Sequence, residues 1–111
     1  MTIEERVYQA LSETGITVTQ LPVVGKAPKY LTWNLTLATA ECWSSNESRK
    51  TEYMITVDLY SRQVPTADDV RPILEALKQK HIRPTSWGPM MYETETRWHH
   101  LPITCYYNDS L

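Results

Sequence analysis

The 111-residue sequence contains no phenylalanine, only three glycines and two cysteines, and no long apolar run. The glycines at positions 15, 25 and 88 are isolated, which excludes a glycine-rich loop that could cradle a phosphate group. Apolar runs such as residues 21–24 and 90–92 are far shorter than the roughly 18 residues that cross a bilayer. We therefore expect a soluble protein with no membrane partner and no nucleotide-hydrolysing activity.

The two cysteines, Cys42 and Cys105, are far apart and form no C-x-x-C pair. The N-terminus begins with acidic residues, where a secretory signal would be basic and then apolar. These features favour a reducing compartment, so we predict that both thiols are reduced and serve as packing residues.

The charge is nearly balanced: eleven Lys and Arg residues against thirteen Asp and Glu residues give a net charge of −2. Such a chain lacks the positive field of a dedicated nucleic-acid binder. Seven tyrosines and four tryptophans supply apolar surface that carries a polar atom, which suits interfaces as well as cores. With 41% hydrophobic residues, the chain fits one domain spanning residues 1–111.

Two helices are predicted. Thr2 and Glu5 have the spacing of a capping box, so the first helix begins there and runs to about Glu13. The second helix is predicted over about residues 69–80, which places Pro72 in or next to its first turn, where proline costs little. Its apolar stripe consists of Val70, Ile73, Leu74 and Leu77.

Alternating apolar and polar residues predict five strands. Pro102 favours an edge or a bulge over a central paired position. The order of elements favours an α+β fold, with a mainly antiparallel sheet flanked by two α-helices. The strands cover about residues 16–20, 30–37, 53–59, 92–98 and 101–107.

The polar segment 44–52 separates the second and third strands and predicts a long hairpin tip. Such a tip is either an idle mobile loop or a contact element. Asn46, Arg49 and Lys50 are its candidate contact residues.

The polar side of the third strand is a second interface candidate. Met54, Thr56, Asp58 and Tyr60 alternate with its apolar residues. A polar face that carries methionine and tyrosine is more typical of an interface than of a plain solvated surface.

Neither a metal site nor a catalytic site is predicted. Of the adjacent His99 and His100, only His99 shares a strand face with Cys105, and two ligands without a second pair do not make a metal site. Glu93 and Glu95 would lie about 7 Å apart on one strand face. Arg97 continues this row, which favours a solvated face or a subunit contact over an acid/base pair.

The element order and two segments, 23–33 (VVGKAPKYLTW) and 53–61 (YMITVDLYS), resemble the tail terminator, or tail-completion, proteins of long-tailed bacteriophages and prophages. The resemblance implies a small subunit that forms a ring, usually of six, on the finished tail tube and makes the surface that meets the head connector or stopper protein. It implies a virion location at the head-proximal end of the tail, assembly in the host cytoplasm, and no catalysis or cofactor.

In such a ring DNA only passes through the lumen, and an acidic wall would reduce contact with phosphate. Glu93, Glu95 and Asp58 are candidates for that wall, or for contacts between subunits, as is Arg97. Two alternatives stay open: another neck subunit, such as a head-tail connector or stopper, and a small α+β enzyme. The position of the protein in the virion would distinguish another neck subunit from a tail terminator. An enzyme would need a nucleophile with a base beside it.

Overall fold

The computed structural model describes residues 2–19, 28–42 and 49–110, which form two helices and a six-stranded, mostly antiparallel sheet. The predicted α+β class is confirmed. In chain order the elements are α1 (Ile3–Ser12), β1 (Thr17–Val18), β2 (Lys29–Cys42), β3 (Arg49–Ser61), α2 (Ala67–Gln79), β4 (Arg83–Trp87), β5 (Met91–Glu93) and β6 (Trp98–Ser110).

The sheet has the strand order β1-β2-β3-β6-β4, and β5 also pairs with β6. β1 is parallel to β2, and the other pairs are antiparallel. The short β4 and β5 lie one after the other along the same side of β6. Among the described residues, the sheet therefore ends in β2 on one side, beyond the two paired residues of β1, and in β4 and β5 on the other.

The predicted capping box starts α1. The Glu5 N–H donates to the Thr2 hydroxyl at 3.1 Å, and the Thr2 N–H donates to the Glu5 carboxylate at 3.3 Å. In α2 the Asp69 carboxylate accepts the Thr66 N–H at 2.8 Å, so the helix begins at Ala67, two residues earlier than predicted. Pro72 consequently lies in the second turn and not in or beside the first, which corrects the prediction.

The core lies on one face of the sheet. Odd-numbered residues of β3 and β6 share this face with the buried stripes of α1 and α2. Both helices therefore cover the same side. The fully buried residues of this core include Leu11, Leu31, Ile55, Leu59, Ile73, Leu77, Ile82 and Ile103.

The sheet extends well beyond the helices. β2, β3 and β6 contain 14, 13 and 13 residues, which corresponds to over 40 Å at about 3.3 Å per residue, whereas α1 and α2 are roughly 15–20 Å long. The Arg6 guanidinium lies 4.9 Å above the Tyr107 ring near the end of the helical layer. The molecule measures 52 × 24 × 24 Å, and its radius of gyration of 15.3 Å exceeds the roughly 13 Å typical of a compact chain of this length.

The strand boundaries differ from the prediction around the hairpin. Residues 49–52 do not belong to a loop, because they pair with residues 39–42 as the first part of β3. Residues 43–48, including the candidate Asn46, lie outside the described residues. A register shift between Leu35 and Leu37 also interrupts the single alternating face predicted for β2.

The predicted strand 92–98 is not one strand. β5 ends at Glu93, residues 94–97 form a turn, and β6 begins at Trp98. Arg97 adopts the left-handed conformation with φ 62°, and its N–H donates to the Glu93 carbonyl at 2.7 Å. The alternation of polar residues continues through this turn, which is why the sequence pattern conceals it.

Pro102 lies inside β6, opposite Asp58 of β3, and not at an edge or a bulge. Its carbonyl accepts the Gly88 N–H at 2.9 Å, in the interval between β4 and β5. The backbone nitrogen and carbonyl of Pro102 therefore point to the gap between β4 and β5. Because no strand residue lies there, the missing N–H of the proline costs the sheet no hydrogen bond between strands.

Candidate functional site

The face of the sheet opposite the helices, here called the helix-free face, carries the residues of β3 that alternate with the core. Met54, Thr56, Asp58 and Tyr60 all lie there, as the sequence predicted. Side chains of β2 and β6 at the paired positions complete the face. No helix of the described residues packs on it, so its side chains are held by one another.

Three stacked rings cross the helix-free face near the end where β2 and β6 begin and β3 ends. Tyr30, Tyr60 and His100 are cross-strand neighbours on β2, β3 and β6. The Tyr30 and Tyr60 ring centroids are 4.7 Å apart, those of Tyr60 and His100 are 4.4 Å apart, and both pairs are parallel within 10°. Trp98 meets Tyr30 edge to face at 5.1 Å. Each such pair contributes about 0.5–1.5 kcal/mol beyond its buried area, so this row is a rigid element.

Asp58 anchors the end of the row through His100. The His100 Nε2 and Asp58 Oδ1 atoms are 2.7 Å apart, and the two side chains are only 18% and 12% exposed. The contact links β3 to β6, and the face of the imidazole ring stacks on the Tyr60 ring. Asp58 is thus a structural partner of His100. A residue of a lumen wall would expose its carboxylate, whereas the Asp58 carboxylate is largely buried and paired.

The hydroxyl of Tyr60 is held in its protonated form. Partial burial, followed by the negative charges of Asp58 and Glu93, raises the pKa of Tyr60 from its ordinary value of 10.0 to about 12. At neutral pH this phenol remains a hydrogen-bond donor near this end of the face. Glu93, at the end of β5, therefore acts on the same surface as the residues of β3.

Glu93, Glu95 and Arg97 do not form a row, because the turn separates them. Glu93 accepts the Thr96 hydroxyl at 2.8 Å, while Glu95 is exposed within the turn. This turn and Tyr92 line an open depression of about 460 Å³. It is a shallow acidic surface, and its two carboxylates are not arranged as an acid/base pair on a strand.

Arg62 connects the turn to the aromatic row, a role that sequence reasoning missed. Its guanidinium lies 3.9 Å from the centroid of the Trp98 ring and donates to the Thr96 carbonyl at 2.9 Å. Nothing in the local sequence marks this residue, which directly follows β3. Only the antiparallel pairing of β3 with β6 brings Arg62 next to Trp98.

Within the described ranges, no group of three or more His, Cys, Asp or Glu residues is arranged to hold a metal ion. Cys105 is free and buried in the core, and burial raises the pKa of its thiol to about 12, which makes it unreactive at neutral pH. His99 instead lies 4.8 Å from the Tyr92 ring. Neither α1 nor α2, the helices of the described residues, is long and apolar enough to cross a membrane.

Comparison of the chain with models of known protein families and with curated proteins finds no match. The function proposed below therefore rests on the sequence pattern and on the geometry of the sheet.

Proposed function

We propose that this chain is an assembly subunit of a long-tailed bacteriophage or prophage, a tail terminator that caps the finished tail tube. Six copies form a ring at the head-proximal end of the tail, and the ring makes the surface that joins the head connector or stopper protein. DNA passes through the lumen without being bound. The proposal includes no catalytic step and no cofactor, and the ring assembles in the cytoplasm of the host bacterium.

The observation that carries the proposal is the placement of both helices on one side of the sheet. Sheets in stable domains normally bury one face and leave the other to solvent or to a partner. Here the open side is not a plain polar surface, because Met54 and Tyr60 lie among threonines on it. Such a composition is typical of a protein interface.

The elongated shape gives further support. The paired strands reach past the helical layer, so their outer parts have no second layer among the described residues. Arg49 and Lys50, two of the predicted contact residues, lie in this projecting part of β3. An extension of this kind would give the subunit a surface for the tail tube that is separate from its contacts with neighbouring copies.

The turn between β5 and β6 is the candidate for the lumen wall. Glu95 is exposed and Glu93 is half-buried, so both contribute negative potential at this corner of the sheet. Replacing both by lysine separates the two roles given to them. Slower DNA release from intact rings is expected for a lumen position, whereas failure of the ring to form would assign them to a subunit contact.

The decisive experiment mixes the purified protein with tails that lack a terminator. We expect electron microscopy to show a ring at the head-proximal end, and these tails then to join heads. Binding to the head or to another part of the neck would identify a connector or stopper subunit instead. Absence of binding to any tail or head component would refute a role in phage assembly.

A further inference from the structure

We infer that neighbouring copies join edge to edge, with the β5 edge of one copy lying along the outer edge of β2 in the next, so that the sheet continues from subunit to subunit. The inference deepens the proposed ring and rests on it for the number of copies. It depends on two different edges of one sheet, and each has a feature that calls for a partner.

The first edge is the outer side of β2 beyond Leu31. The Leu31 carbonyl accepts the Thr19 N–H at 2.9 Å, which shows that odd-numbered residues here direct their backbone groups away from β3. Trp33 and Leu35 follow with the same orientation, and no strand of the described residues pairs with them. This stretch contains no proline or lysine, the residues that commonly protect an exposed edge. Leu35 adds an exposed apolar side chain.

The opposite edge of the sheet carries an exposed apolar patch, the 87–92 patch. It consists of Trp87, Met90, Met91 and Tyr92, each 42–51% exposed. Trp87 and Tyr92 lie on the helical side of the sheet and Met91 lies on the helix-free face, so exposed apolar side chains border this edge on both sides. The Pro102 carbonyl accepts the Gly88 N–H, so even-numbered residues of β6 direct their backbone groups toward this side. Tyr92 is opposite the odd-numbered His99, so its own backbone groups point outward from β5.

The neighbouring β4 is protected against strand pairing, which restricts the contact to β5 and the 87–92 patch. Pro84 has no N–H to donate, and a register shift between Pro84 and Ser86 bends the strand. By contrast, β5 has neither feature.

A second copy of this chain is the occupant that satisfies both edges at once. A strand of a different protein added to β2 would leave the 87–92 patch exposed. When the β5 edge of each copy pairs with the β2 edge of the next, both edges of every copy are covered once the ring closes. The side chains also agree: Leu35 and Tyr92 both lie on the helical side of the sheet, since Leu35 is opposite Ile55 and Tyr92 is opposite His99. In a continuous sheet these two apolar side chains share one surface.

Cysteine cross-linking tests this arrangement. In a Cys42→Ser background, the double variant Leu35→Cys and Tyr92→Cys is treated with a short bifunctional thiol reagent, both free at high concentration and on tails. We expect a ladder of cross-linked oligomers from the double variant and only monomers from each single variant. Dimers from Leu35→Cys alone would show that two β2 edges pair symmetrically, which overturns the inference.

The outcomes on tails separate this inference from the proposed function. If the double variant caps tails but gives no cross-link, the edge contact is wrong and the function stands. If it cross-links in solution but binds no tail, the edge contact stands and the phage role fails. If it neither binds tails nor cross-links in solution, both are wrong.

A matched pair of variants provides a second measurement. Trp87→Gln with Met90→Gln should raise the protein concentration needed for assembly by at least about tenfold, because aromatic and methionine anchors dominate such contacts. Both side chains are half exposed in the subunit, so its thermal stability should hardly change. Val64→Gln, equally exposed but outside the 87–92 patch, should have no effect on assembly. Equal assembly by the patch variant and the control would overturn the inference.

Discussion

Removal of the Asp58 carboxylate should destabilise the subunit through its contact with His100. The two atoms are 2.7 Å apart in a largely buried site, and a hydrogen bond to a charged group contributes about 1.5–3 kcal/mol. Unfolding entropies of about 2.1 cal/mol/K per residue give roughly 4 °C per kcal/mol for a chain of this length. Asp58→Ala should therefore lower the Tm by roughly 6–13 °C.

A double-mutant cycle isolates this contact from the ring stacking. His100→Phe keeps a ring against Tyr60 and removes the nitrogen that contacts Asp58. Urea unfolding of the two single variants and the double variant should give a coupling energy of about 1.5–3 kcal/mol. The Asp68–Arg71 pair on α2 is the control, since its side chains are 84% and 64% exposed and its coupling should stay below about 0.5 kcal/mol. A coupling for Asp58 and His100 as small as that of the control would refute the structural role of the pair.

Three further measurements examine the surroundings of this site. As the pH rises from 10 to 12, the unfolded chain releases the Tyr60 proton while the folded chain retains it, so part of the free energy of unfolding should be lost in this window. Tyr60→Phe should abolish this pH-dependent loss. A variant that loses as much stability as the wild type between pH 10 and 12 would contradict the raised pKa of Tyr60. The Cys105 thiol should resist alkylation until the protein unfolds, and rapid labelling of the native protein would disprove its burial. Pro72→Ala should stabilise the protein by about 2 kcal/mol, because proline inside a helix costs roughly 3 kcal/mol and its restriction of the unfolded chain returns up to about 1 kcal/mol. A Tm below that of the wild type would contradict this expectation.

Local signals explain which parts of the fold the sequence predicts. The capping box of α1 acts within four residues, and the faces of β3 follow from strict alternation around Ile55 and Val57. α2 begins two residues earlier than predicted because Thr66 is its N-cap residue and the Asp69 carboxylate accepts the Thr66 N–H. Each of these interactions is short-range, so a single sequence contains it.

Tertiary contacts account for what the sequence did not predict. The turn at 94–97 ends β5 through Arg97 in a left-handed conformation and through Arg62, which comes from a distant part of the chain. β4 begins with Arg83 and Pro84, a pattern that indicates a connection, and it becomes a strand because the outer side of β6 is available for pairing. The alternation on β3 predicted a second face of the strand. It did not predict that both helices lie on the opposite face, because this placement depends on how the helices pack against the sheet.

The helix-free face combines internal pairing with partial exposure, and this combination suits association better than permanent solvation. Its most buried charged contact, between Asp58 and His100, is already formed within the subunit. Covering the face with another protein would therefore not leave these groups without a partner, which is the largest desolvation cost of a polar interface. The stacked rings are likewise ordered in advance, so little side-chain entropy remains to be lost on binding. For the proposed ring, a face ordered in this way would allow contacts that are individually weak to add up once several copies are held together.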